Sequence, residues 1–156
     1  AEIMVNNIFK NHPELKARYK FIGNLDSSGL KYGLIASNLV VSRAGSGAIF
    51  EIAAFGKPAI LIPLSSSANN HQQKNAYEYA KSARLPARTT VQSGGPDGQG
   101  DAIVIEESNL QFNLVITQVK KILEDKNLYQ KMAESAKDFA KLDAADNIAR
   151  EIIELA

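Results

Sequence analysis

The stretch Ser42-Arg43-Ala44-Gly45-Ser46-Gly47-Ala48-Ile49-Phe50-Glu51 decides how the chain folds, together with Gly56-Lys57-Pro58-Ala59-Ile60-Leu61-Ile62-Pro63-Leu64 and His71-Gln72-Gln73-Lys74-Asn75. An apolar run, Asn38 to Ser42, ends in a glycine loop that opens a helix. A second run, Ala59 to Leu64, ends in a serine-rich loop that carries His71. Short apolar runs bounded by turn residues read as buried strands. Strands alternating with helices predict an α/β fold, a parallel sheet with helices on both faces. In such sheets ligands bind beyond the carboxyl ends of the strands. Ser42–Gly47 and Ser65–His71 both lie there.

Outward from this centre, residues 46–55 predict a helix stopped by Gly56. Pro58 and Pro63 sit at strand margins, where proline is tolerated. A helix is expected from about Asn70 to Ala83, and a strand from Ala102 to Ile105. On the N-terminal side, residues 2–11 read as a helix, Tyr19 to Gly23 as a short β-type run, and Asp26, Ser27 and Ser28 as loop or cap residues before a helix near 29–36. Residues 84–100 hold Pro86, Pro96, Gly94, Gly95, Gly98 and Gly100 with few apolar side chains, and read as a long inserted surface loop. Three amphipathic patterns follow. Their faces are Val115, Val119, Ile122 and Leu123; then Leu128, Met132, Ala136 and Phe139; then Ala145, Ile148, Ala149, Ile152 and Ile153.

At 156 residues and 45% hydrophobic, residues 1–156 suffice for a single domain with a core. A net charge of +1 gives no field to recruit nucleic acid, so none is expected as a partner. The absence of cysteine excludes a disulfide framework and a thiolate metal site. No apolar run approaches the length of a membrane span. The chain starts at Ala1 and reads as a piece of a longer protein.

Gly45 and Gly47 let backbone turn tightly and approach a ligand, and the helix start after them favours an anion such as phosphate. The plainer reading is a strand-to-helix turn with Ser46 as the cap. Glu51 lies among Ala48, Ile49, Phe50, Ile52, Ala53 and Ala54, which predicts a buried helix. A carboxylate there needs partners. Two remain open: the diol of a ribose, or an ion pair with Arg43 or Lys57. His71, Gln72, Gln73 and Asn75 offer donors and acceptors suited to sugar hydroxyls, or a solvated helix start. Ser65, Ser66 and Ser67 have no base nearby except His71, so a Ser–His dyad is a remote reading. His12, beside Pro13, reads as a surface residue. No second histidine is close in sequence, so no metal site is expected.

At these residues the chain resembles the C-terminal half of the MurG family, the UDP-N-acetylglucosamine transferases of peptidoglycan synthesis. The resemblance runs through Ser42-Arg43-Ala44-Gly45, Glu51-Ile52-Ala53-Ala54, Gly56 to Pro63, His71-Gln72 and Asn75-Ala76. It continues at Leu128, Met132 and Asp143-Ala144-Ala145, and covers nearly the whole chain apart from 84–100. It implies the Rossmann-like C-terminal half of a GT-B glycosyltransferase fold, lacking its first strand. It implies binding of UDP-N-acetylglucosamine as donor, with no cofactor and no metal in the donor site. Glu51 would hold the ribose hydroxyls. Gly45, Ser46, Gly47 and Ala48 would lie at the diphosphate and sugar. His71, Gln72 and Asn75 would lie at the N-acetylglucosamine, and Asp26 and Ser27, with Leu25, at the uracil.

The resemblance also implies an inverting transfer to a lipid-linked muramoyl-pentapeptide, at the cytoplasmic face of the membrane. The catalytic base and the acceptor site would belong to an N-terminal domain outside this chain. The isolated chain is therefore expected to be inactive. Ala48 departs from the family, which carries a threonine or serine at that point. Two alternatives accompany this reading. One is a stand-alone UDP-sugar-binding subunit of a split N-acetylglucosaminyltransferase with a separate acceptor-binding membrane partner. The other is an inactive fragment.

Overall fold

A computed structural model describes Pro13, residues 18–81 and residues 102–155. The expected helix at 2–11, His12 and the expected loop at 84–100 lie outside the described residues. The chain divides into two compact units, Ala1–Tyr32 and Gly33–Ala156.

In the first unit, Tyr19 to Gly23 is not a strand. A strand exists only when its backbone polar groups are laddered to a neighbour, and this run has no ladder partner among the described residues. Asp26 caps the helix that follows, α1 (Ser27–Ala36), two residues earlier than periodicity alone suggests. Its carboxylate accepts from Gly29 N at 2.7 Å, which satisfies an N–H group that the first helical turn leaves without a partner, and its carbonyl takes the first helical bond, from Leu30 N at 2.9 Å.

The second unit holds a parallel three-stranded sheet in the order β1 (Val40–Ser42), β2 (Ala59–Leu61), β3 (Ala102–Val104). The register pairs Val41 with Ile60 and Ile60 with Ile103. Parallel neighbours need crossovers. Helix α2 (Ser46–Ala54) supplies the first and α3 (His71–Lys81) falls in the second. Every residue of β2 and β3 is buried, so both faces are covered, as the continuous apolar runs predict. On one face Ile60, Ile103 and Ile105 pack with Ile122, Leu128 and Met132. These come from α4 (Phe112–Glu124) and α5 (Lys126–Phe139). Asp125 starts α5 by accepting from Asn127 N and Leu128 N, both at 3.0 Å. Phe139 then stacks on Phe50 at 5.5 Å and meets Tyr79 edge-on at 4.9 Å, which ties α5 to α2 and α3.

Two expectations need correction, and a third pattern forms as expected with its apolar face exposed. The 38–42 run is not a buried strand: β1 is the edge of the described sheet and Val41 is 48% exposed. Helix α2 is not buried all round: Ile49, Ile52 and Ala53 face the core, whereas Phe50, Glu51 and Ala54 are exposed. The last pattern does form a helix, α6 (Ala144–Glu154), but Ile148, Ile152 and Ile153 are exposed at 61–75%. Period 3.6 predicts a helix and an apolar face; it does not say what covers that face.

Gly56 ends α2 as expected, and the geometry says why. Its φ of 57° is left-handed. Lys57 N donates to Ile52 O at 3.2 Å and Gly56 N to Ala53 O at 2.8 Å, the paired bonds of a Schellman turn. A Cβ on Gly56 would meet Lys137 side-chain carbons at 2.6 Å.

Candidate functional site

Three loops leave the carboxyl ends of the strands: 43–45 after β1, 62–70 after β2 and 105–111 after β3. The first opens α2. Gly45 is the N-cap residue and has no side chain to offer, and Ser46 is the first helical residue, so the serine cap is not made. Among the described residues no hydrogen bond reaches the N–H groups of Ser46, Gly47 or Ala48. Unpaired N–H groups at a helix start present partial positive charge to an anion. Neither Gly45 nor Gly47 has a positive φ, so the turn itself does not require glycine. What the two glycines leave is room, since a Cβ at either would meet nothing within 4 Å. Ala48 follows on the same turn without a hydroxyl.

Glu51 lies a turn further along α2 and is exposed, not buried. Neither basic candidate partners it. Arg43 bonds to Glu107, and Lys57 donates to the carbonyls of Ile35 at 3.1 Å and Ser37 at 2.8 Å, where it closes the end of α1. The ion-pair account of Glu51 therefore fails, because both cations are engaged elsewhere. Among the described residues its carboxylate has no partner.

The second loop turns into α3 through Asn69 and Asn70, both left-handed at φ 49° and 55°. Asparagine tolerates that conformation better than most residues. Helix α3 begins at His71, which is exposed and whose side chain makes no hydrogen bond to a described residue. Gln72 Oε1 accepts from Leu64 N at 3.0 Å. That bond folds the serine loop back on the helix and leaves the Gln72 amide nitrogen without a hydrogen bond to a described residue. Asn75 Nδ2 donates to Ala44 O at 3.4 Å, a long bond that joins α3 to the glycine loop. Asn75 is thus brought to the loop that carries Gly45, and Gln72 to the serine loop after β2. Asp26 and Ser27 belong to the first unit, where Asp26 serves as a helix cap. The remote Ser–His dyad is not formed. Ser65 Oγ donates to Glu107 Oε2 at 2.6 Å, and Ser67 Oγ accepts from Gln72 N at 3.4 Å.

The third loop carries two residues that the pattern of the sequence does not mark. Glu107 Oε1 accepts from Arg43 Nη2 at 2.7 Å, and its Oε2 from Ser65 N at 3.1 Å as well as from Ser65 Oγ. Arg43 Nη1 also donates to Ile62 O at 3.3 Å. The hydroxyl and N–H of Ser65, and then the Arg43 guanidinium, hold the Glu107 carboxyl down at about 2. The preceding Glu106 accepts from Tyr77 Oη at 2.7 Å. Burial, with the Glu106 hydrogen bond and charge, pushes the Tyr77 phenol up to about 12. A pair of acidic residues just past a buried strand was the available signal. Among the described residues no group of three or more His, Cys, Asp or Glu side chains lies close enough to hold a metal ion.

The glycosyltransferase family 28 C-terminal domain matches residues 11–84, and the chain belongs to that class of protein. Within the class its relatives are MurG proteins. One from Caldicellulosiruptor saccharolyticus is 34% identical over 91% of this chain and 33% of its own length. One from Clostridioides difficile is 37% identical over 78% of this chain and 26% of its own. Both are named UDP-N-acetylglucosamine–N-acetylmuramyl-(pentapeptide) pyrophosphoryl-undecaprenol N-acetylglucosamine transferase. The crystal structure of Acinetobacter baumannii MurG superposes with a TM-score of 0.59 at 22% identity, covering 86% of this chain and 32% of that one. That likeness bears out the Rossmann-like fold. The chain is a C-terminal domain of the MurG family, and it spans about a third of the length of the curated relatives it matches.

Proposed function

We propose that this chain is the donor-binding part of a UDP-N-acetylglucosamine transferase of peptidoglycan synthesis. The observation that carries the reading is the start of α2. Unbonded N–H groups open onto bare Gly45 and Gly47, and the exposed, unpaired carboxylate of Glu51 follows within the same helix. An anion and a diol at that spacing describe a nucleoside diphosphate. Gly45, Ser46, Gly47 and Ala48 receive the diphosphate, and Glu51 accepts from the ribose hydroxyls. His71 and the Gln72 amide read the sugar, with Asn75 holding their helix to the glycine loop.

The reaction is an inverting displacement at the anomeric carbon by an acceptor hydroxyl. The bond from that carbon to the diphosphate breaks with its electron pair on the leaving oxygen. The N–H groups at the start of α2 stabilise the charge that develops there. The lipid-linked acceptor and the base that takes its proton are assigned to parts of the full protein beyond this third of its length, working at the inner face of the membrane. Among the described residues no helix is long and apolar enough to cross that membrane.

Isothermal titration of the chain with UDP-N-acetylglucosamine tests the donor reading, with Glu51→Ala as the control. Binding that weakens about tenfold or more in the variant is expected, as for loss of a hydrogen bond to a charged group. Equal binding by both proteins would remove Glu51 from the site; no binding by either would sink the function.

A further inference from the structure

The glycine loop and the start of α3 lie after different strands, yet one ligand must touch both. Something has to set the distance between them. The backbone ladder does so only as far as Ile62 N to Ser42 O and Ile105 N to Leu61 O. Beyond that, the three loops meet at the Glu106–Glu107 pair that follows β3.

Both oxygens of Glu107 are in use. One holds Arg43, the first residue after β1, and the other holds the N–H and hydroxyl of Ser65, in the loop after β2. Glu106 holds Tyr77, which lies in α3 beyond His71, Gln72 and Asn75. Two adjacent side chains thus grip the other two loops and the helix of the sugar-reading residues. The Arg43 and Glu107 side chains are 48% and 30% exposed. Ion pairs so open to water add little to global stability. Their consequence is local geometry. Arg43 is also spent on Glu107 and Ile62 O, so its charge serves this clasp and not a phosphate in this arrangement.

We propose that Glu107, assisted by Glu106, is a positioning residue that sets the spacing between the glycine loop and the His71–Gln72 edge, and so governs affinity for a ligand that spans the two. The proposal rests on the donor reading above. It predicts a split between ligands. A sugar nucleotide must satisfy both loops at once, whereas UMP, without the sugar and second phosphate, engages the Glu51 end alone. A loosened clasp costs the first ligand and spares the second.

The test is titration of the 156-residue chain and its Glu107→Gln, Ser65→Ala and double variants with UDP-N-acetylglucosamine and with UMP. Circular dichroism and thermal unfolding identify any variant that fails to fold. Glu107→Gln is expected to weaken sugar-nucleotide binding about tenfold while UMP binding stays within about twofold, the loss expected for one charge-assisted contact. Adding Ser65→Ala to Glu107→Gln should cost less than Ser65→Ala costs alone, because both act through one contact. Tyr77→Phe removes only the Glu106 link and should shift the same ratio in the same direction, which keeps the idea testable if Glu107→Gln does not fold. Parallel losses for both ligands, or additive losses in the double variant, overturn the proposal. Unchanged sugar-nucleotide affinity in a folded Glu107→Gln chain also overturns it and leaves the donor reading standing. Failure of the unsubstituted chain to bind either ligand overturns both.

Discussion

Arg43 Nη2 donates to Glu107 Oε1 at 2.7 Å, although the two residues are 64 positions apart in the chain. The bond crosses the carboxyl ends of all three strands, from the residue after β1 to the loop after β3. Its strength depends on Glu107 being ionised.

That dependence gives a pH signature. The Glu107 carboxyl is lowered from an ordinary 4.5 to about 2, by Ser65 first and Arg43 second. The unfolded chain therefore binds the proton at higher pH than the folded one. The contribution is complete above about 4.5 and is lost as pH falls towards and through about 2. The difference in thermal midpoint between the chain and Glu107→Gln should shrink across that window. A difference that holds constant from pH 6 to pH 2, or grows, contradicts the hydrogen bonds assigned to Glu107.

The two readings of Glu51 separate in stability. An ion-paired glutamate would cost stability when removed; an exposed and unpaired one would not. Glu51→Ala should leave the unfolding free energy within about 0.5 kcal/mol of the parent chain. Lys57→Met, which keeps the stem but loses the bonds to Ile35 O and Ser37 O, should cost about 1 kcal/mol through the end of α1. Urea unfolding of the pair checks both, and the reverse ranking would restore the ion pair.

Gly56→Ala should destabilise the chain by about 1–2 kcal/mol, the cost of a side chain in the left-handed region. The Lys137 stem adds to this, since it must move from 2.6 Å. Lys137→Ala in the same background should recover the crowding part and leave the backbone part. Complete recovery would show that the conformation of Gly56 carries no cost.

Tyr77 should ionise late, above the ordinary range of a phenol. Its phenol is raised from 10.0 to about 12, by burial first and then by Glu106. A raised acid keeps its proton longer in the folded state. The associated stability is present below about 10 and is lost as pH rises through about 12. Ultraviolet titration of phenolate should therefore lose amplitude at its high-pH end in Tyr77→Phe. A variant whose curve merely scales down at every pH contradicts the environment described for Tyr77.

Much of the fold is legible in the residues because it rests on short-range physics. The 46–55 helix, its stop at Gly56 and the prolines beside β2 follow from periodicity and from backbone angles that one residue type permits. The resemblance to the MurG family likewise stands on local motifs. Tyr19–Gly23 shows the limit: β propensity without a ladder partner among the described residues makes no strand. Glu51 shows another. Its apolar neighbours along the chain predicted burial, but only part of α2 meets the core, and the carboxylate lies on the exposed side.

The sequence by itself determined the alternation of strands and helices, the ends of α2 and the polar loops at strand ends, since each depends on residues within a few positions of one another. Only the tertiary structure decided who holds whom. Arg43 and Lys57 were equal candidates for Glu51 until folding gave one to Glu107 and the other to the end of α1. The local pattern shows Glu106 and Glu107 as an acidic pair after a strand but not whom they hold, because their partners arrive from other strands and from α3. A side chain's partner is set by which strands lie side by side, and that is a property of the sheet order, not of the neighbours along the chain.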